Sequence, residues 1–206
     1  MQKGNSETGY SIVELMIVTA VIAIITAGVI VAFQPTKTAI SSTDAAAQVV
    51  NYLREANARA VADHHSFRVV INTNTNKISL INENTSGSGN NEGDAVSGDD
   101  VLVKQEPLIS MVGYTQPTVS GVSVGIPAAP FNYAAATFTS NQWTVHFESD
   151  GSAQDPVSGV LSPISCTLFF SPLQNSNPNL IRAVTLFGPG SAIRYWVYNG
   201  SQFLAG

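Results

Sequence analysis

Charge is scarce in this sequence: Asp, Glu, Lys and Arg make up only 11 % of its 206 residues. The little there is leans acidic, with a net charge of −5. A protein that holds nucleic acid by broad electrostatic attraction carries a basic patch and a high isoelectric point, and this composition argues against that class. Cysteine is almost absent. Cys166 stands alone and has no intrachain partner for a disulfide; in the apolar run Ser165-Cys166-Thr167-Leu168-Phe169-Phe170 it reads as a buried thiol on a strand rather than a reactive one. No hydrolase elbow, phosphate loop or zinc pattern is visible. The chain is therefore read as non-enzymatic, and no cofactor is expected.

Charge is most conspicuously missing from Leu15 to Gln34, and that makes Glu14 stand out. The apolar run from Tyr10 to Phe33 holds 24 residues, about 36 Å of helix at 1.5 Å per residue and enough for a hydrocarbon core of about 30 Å. Glu14 lies five residues into it. A carboxylate in the bilayer core costs roughly 2.5 to 3.5 kcal/mol, so an intramembrane Glu is a functional hypothesis by default. Ahead of the run lies only MQKGNSETG, polar, with Lys3 as its sole basic residue. A secretory signal has a shorter apolar stretch with its cleavage site beyond it. Here the small residue sits before the stretch, at Gly9. In an ordinary signal anchor Glu14, one turn in, would rest at the headgroups; Gly9 and Tyr10 beside it favour a paired charge instead.

Gly9, Tyr10 and Glu14 followed by about twenty apolar residues resemble the class III signal of type IV pilins and type II secretion pseudopilins. Tyr10 stands where Phe is usual, and the leader is less basic than most. The resemblance implies cleavage by a prepilin peptidase after Gly9, methylation of the new Tyr10 amine, and a Glu14 carboxylate docked on the amine of a neighbouring subunit. Such a pair would set register more than it adds stability, because an uncompensated buried charge is costly and a compensated one is tolerated. It also implies a single pass through the bacterial inner membrane, with the head in the periplasm. Partners would be other pilins or pseudopilins, met through the N-terminal helix, and an inner-membrane assembly platform.

Past the anchor, about 170 residues fit one domain. Pro35 removes an amide donor and predicts a kink or break. From Thr38 to His64 there is no Gly or Pro, and Ala46, Val50, Leu53, Ala56, Ala60 and Val61 mark an apolar stripe that should pack on a sheet. Residues 34–65 thus continue the helix of residues 10–33, and residues 66–206 form a β-rich head. The fold class expected is α+β, a long hydrophobic N-terminal helix packed on an antiparallel β-sheet head, the pilin "lollipop". Leu53-Arg54-Glu55-Ala56-Asn57-Ala58-Arg59-Ala60 resembles a stretch of the GspH/FimT/FimU family of minor pilins and H-type pseudopilins. Trp143 to Ala153 and Ile181 to Tyr198 resemble that family's strands. The lack of a cysteine pair separates the chain from major pilins that close a C-terminal loop with a disulfide.

Period-two patterning predicts a hairpin of Phe67 to Thr73 with Lys77 to Asn82 about Asn74-Thr75-Asn76. Further strands are expected at Val101 to Val103, Leu108 to Val112, Val119 to Val124, Trp143 to Glu148, Cys166 to Phe170, Ile181 to Phe187 and Ile193 to Tyr198. Residues 83–100 read as a polar surface loop; Glu92, Asp94, Asp99 and Asp100 match no EF-hand spacing, so no calcium site is assigned. Asp63, His64 and His65 at the helix end lack further ligands for a metal site. His146, between Val145 and Phe147, reads as an outward strand residue. Two sequons, at Asn84 and Asn199, are idle in a bacterial pilin. The competing function is DNA uptake on the same scaffold, with Arg182 and Arg194 facing each other across a hairpin beside Tyr195, Trp196 and Tyr198; phosphate binding needs more cations than these.

Overall fold

The structure is a computed structural model that describes residues 11–83, 100–157, 160–173 and 177–206; for residues 28–39, 156–157 and 160–161 it describes the backbone alone. The chain divides into two compact units, Met1–Lys37 and Thr38–Gly206. Helix α1, Ile12–Asp63, runs without interruption at Pro35, so the sequence is not broken into two helices there.

In the first unit the side chains from Ser11 to Ala27 are all exposed. Among the described residues no helix is long and apolar enough to cross a membrane. The expected span begins at Tyr10, outside the described residues, and its side chains are described only as far as Ala27.

The second unit is α+β with antiparallel sheets. The first sheet contains β1 (Phe67–Asn72), β2 (Lys77–Asn82), β3 (Val101–Pro107), β7 (Gln142–Phe147), β8 (Ala153–Val157) and β9 (Val160–Pro163), in the order β3-β2-β1-β7-β8-β9. The second contains β4 (Val112–Gly113), β10 (Ser165–Pro172), β11 (Arg182–Phe187), β12 (Ala192–Tyr198) and β13 (Phe203–Ala205), in the order β13-β12-β11-β10-β4. A small ribbon pairs β5 (Thr118–Val119) with β6 (Val122–Ser123).

Alternation along each strand decides what lies inside. Phe67, Val69 and Ile71 of β1 pair with Phe147, Val145 and Trp143 of β7, and all are buried in one core with Leu168 and Phe170 of β10 and Val184 and Leu186 of β11. The helix closes that core with Ala45, Ala46, Val49, Val50, Tyr52, Leu53, Ala56 and Ala60. Val61, expected on this stripe, is 45 % exposed; it lies one residue past Ala60, about 100° around the helix and off the buried face. The opposite face of the second sheet forms a smaller core of Phe169, Ala183, Trp196, Tyr198 and Phe203, with Phe131 and Val119 packed on it.

Several expected elements differ. The run Val119 to Val124 folds into the β5–β6 ribbon, because Ser120 and Gly121 both take positive φ, 52° and 80°, and turn the chain. Residues Leu108 to Val112 yield only the start of β4. Strands β8 and β9 and the edge strand β13 carry too weak an alternation to be seen in sequence.

Candidate functional site

The N-terminal site is built by the start of α1. Ser11 precedes the first helical residue, and its Oγ accepts from the Val13 amide at 3.3 Å while its carbonyl takes the Leu15 amide at 3.1 Å. Ser11 is thus the N-cap and Glu14 falls at the third helical position, the spacing of a capping box. A carboxylate there complements the positive end of the helix dipole. The Ser-x-x-Glu pattern was available in the sequence and gives Glu14 a favourable place before any partner arrives. Gly9 and Tyr10 lie outside the described residues, and Pro35 contributes its backbone alone.

A second constellation was not anticipated. Register places Arg68 of β1 directly opposite His146 of β7, on the face turned away from Val69 and Val145. Glu83 follows β2, tied by its amide to the Ser66 carbonyl at 3.0 Å. The Arg68 Nη1 lies 3.4 Å from Glu83 Oε1, and its Nη2 hydrogen-bonds the Asp100 carboxylate. His146 Nδ1 is 2.8 Å from Glu83 Oε1 and 2.9 Å from Oε2. Ser66 Oγ donates to Glu148 Oε2 at 2.7 Å. His146 is fully buried and Glu83 nearly so.

This corrects two expectations. His146 alternates as an outward residue should, yet its face of the sheet is buried at this end and the imidazole is held by Glu83. Likewise, the two ends of the polar segment 83–100 are not solvated loop: Glu83 and Asp100 are both drawn onto one guanidinium. Buried charges persist only when paired in this way. The intervening Glu92, Asp94 and Asp99, and the sequon at Asn84, lie outside the described residues.

Between the sheets runs a groove of about 710 Å³, walled by Gln142, Trp143 and Thr144 of β7 on one side and by Ala134 to Thr137 and Cys166 on the other. Cys166 is buried, and burial, aided by the charge of Asp155, pushes its thiol up to about 12. It is a core thiol rather than a nucleophile.

No family model and no curated protein matches this sequence. The chain is similar in fold to a minor pseudopilin. Two solved structures of EpsH, from the type II secretion system of Vibrio cholerae, overlap it at 15 % identity: one at a TM-score of 0.43, covering 78 % of this chain and 97 % of that one, the other at 0.39, covering 81 % and 98 %.

The two arginines proposed for DNA do not come together. Arg182 pairs with Val197 and Arg194 with Thr185, so alternation puts them on opposite faces of the second sheet. Arg182 turns to the helix, donating to Thr43 Oγ1 at 3.2 Å and to the carbonyls of Asn179 and Ile181 at 2.7 and 2.9 Å. Arg194 lies over the Phe131 ring, 4.4 Å from its centre. Among the described residues no group of three or more His, Cys, Asp or Glu is placed to hold a metal; His64 takes φ of 55° where the helix ends.

Proposed function

We propose that the chain is a pilin-type structural subunit, a minor pilin or H-type pseudopilin, held in the bacterial inner membrane by its N-terminal helix with the head in the periplasm and then inserted into a type IV pilus or type II secretion pseudopilus. One observation carries this reading. Directly after the Gly9-Tyr10 junction, α1 begins at Ile12 and presents apolar side chains on every side, with Ile12 80 %, Val13 63 %, Leu15 63 %, Met16 65 % and Ile24 74 % exposed. A helix apolar all round is one that must be covered, by lipid or by other helices. Covering it with like helices makes a filament core, and Glu14, at the amine-proximal end, then meets a neighbour's N-terminus. The role is assembly, not catalysis.

Processing by a prepilin peptidase, methylation of Tyr10 and delivery by an inner-membrane platform belong to the same reading. DNA uptake through Arg182 and Arg194 does not, since the two cations face opposite ways. The test is Glu14→Ala in the native host: cleavage after Gly9 should persist while incorporation into filaments is lost. Normal incorporation of that variant would refute the pairing role.

A further inference from the structure

We propose that the groove between the two sheets is a strand-addition site, which takes a short extended peptide segment bearing a basic side chain and hydrogen-bonds it to the backbones of Thr144 and Ala135.

Strand β7 pairs along its whole length with β1, but with β8 only at His146 and Phe147. Gln142 turns its amide and carbonyl away from β1, onto Thr139, at 2.9 Å each way. Peptide groups alternate in direction along a strand, so Thr144 points the same way, into the gap. Continuing the register of His146 with Gln154 would bring Thr144 opposite Pro156. Proline has no amide to give the Thr144 carbonyl, and the ladder stops. The facing wall repeats the arrangement. Ala135 bridges Thr167 of β10, with the Thr167 amide bonded to the Ala134 carbonyl and the Ala136 amide to the Thr167 carbonyl, both at 2.8 Å. The amide and carbonyl of Ala135 itself therefore point away from β10. Among the described residues the backbone amide and carbonyl of Thr144 and of Ala135 have no hydrogen-bond partner on the groove side; the Thr144 hydroxyl accepts from Gln142 Nε2 at 3.2 Å.

Two sheet edges thus face a common gap of about 710 Å³, and one extended segment would satisfy both. Main-chain bonds of this kind supply affinity, while alternate side chains supply specificity. Asp155 is the one charged side chain among the described lining residues, so the segment's matching side chain is basic. Its source, a neighbouring subunit, rests on the assembly reading; its chemistry does not.

The experiment is amide exchange and chemical-shift mapping on the full chain in detergent micelles, with acetyl-Thr-Val-Lys-Val-Thr-amide as the probe and its Glu-for-Lys analogue as control. The Lys peptide should bind saturably and slow exchange at Thr144 and Ala135 roughly tenfold or more, and the Glu peptide should bind more weakly. Thr144→Pro removes an amide that β1 does not use, together with the hydroxyl that accepts from Gln142, and Thr144→Val, which loses the hydroxyl alone, is its control; Ala135 should lose its protection in the proline variant and keep it in the valine one. Asp155→Lys should reverse the preference between the two peptides. Unprotected Thr144 and Ala135 amides at millimolar Lys peptide, full protection of Ala135 in Thr144→Pro, or an unchanged preference in Asp155→Lys would overturn the proposal. All arms use the isolated chain, so a negative result here leaves the Glu14→Ala test of assembly standing, and the converse holds too.

Discussion

Arg68 holds two carboxylates that come from opposite ends of the segment 83–100, and removing it gives the sharpest perturbation of the head. In Arg68→Met the side chain keeps most of its length and its apolar stem, but Glu83 and Asp100 lose their shared cation. Glu83 is 2 % exposed and Arg68 6 %, so solvent screens little of the loss. Breaking a buried pair by deleting one partner costs about 3 to 5 kcal/mol, and in this variant Glu83 keeps the His146 imidazole but no guanidinium. Desolvation of the ions already offsets much of their attraction in the native protein, so replacing the whole set, the imidazole held by Glu83 included, in Arg68→Met/Glu83→Leu/Asp100→Leu/His146→Leu should restore most of that loss. The assay is urea unfolding of the full chain in micelles, followed by fluorescence of the buried Trp143 and Trp196. A lower midpoint with an unchanged slope is expected for the single variant. A loss under about 1 kcal/mol in Arg68→Met would show that water reaches the cluster and would refute the reasoning.

Three further outcomes follow from the core. The folded chain keeps the Cys166 proton from its ordinary 9.0 up to about 12, through burial first and Asp155 second. The unfolded chain releases that proton earlier and binds fewer protons in this window, so stability should fall as pH rises from about 9 to 12; Tyr52, raised from 10.0 to about 12 by burial and then by Glu106 and Glu55, adds to the same slope. At pH 8 a thiol reagent should label the native protein slowly and the urea-unfolded protein fast, and equal rates would contradict a buried thiol. Gly188→Ala would set a Cβ 2.2 Å from the Ile164 carbonyl oxygen and 2.7 Å from that of Ala153, both backbone atoms that cannot swing aside. A destabilisation of about 1 to 3 kcal/mol is expected in thermal or urea unfolding, and wild-type stability would contradict the packing described there.

What was legible in the sequence was what repeats. The 3.6-residue spacing of Ala46, Val50, Leu53 and Ala56 marked the buried face of the helix, and the alternation of Phe67, Val69 and Ile71 marked the first hairpin with its turn at Asn74-Thr75-Asn76. What escaped notice depends on pairs brought together from afar. Arg68, Glu83, Asp100 and His146 lie up to 78 positions apart (146 − 68), and each alone looks like a solvated residue. His146 misled because alternation tells which face a residue takes but not whether that face is covered. The arginines misled differently: a hairpin places Arg182 and Arg194 near each other in the chain, while the parity of the register, Arg182 with Val197, puts them on opposite faces. Strands β8, β9 and β13 are short, and only their partners make them strands.

In the proposed role, Gly9-Tyr10 is a processing junction and the chain works from the end it creates. Intact-mass spectrometry of the protein purified from membranes of a host with an active prepilin peptidase tests it directly. The expected product begins at Tyr10, lacks the nine residues Met1 to Gly9 and carries one added methyl group on its amine. A chain that still carries Met1 to Gly9 in that host would contradict it.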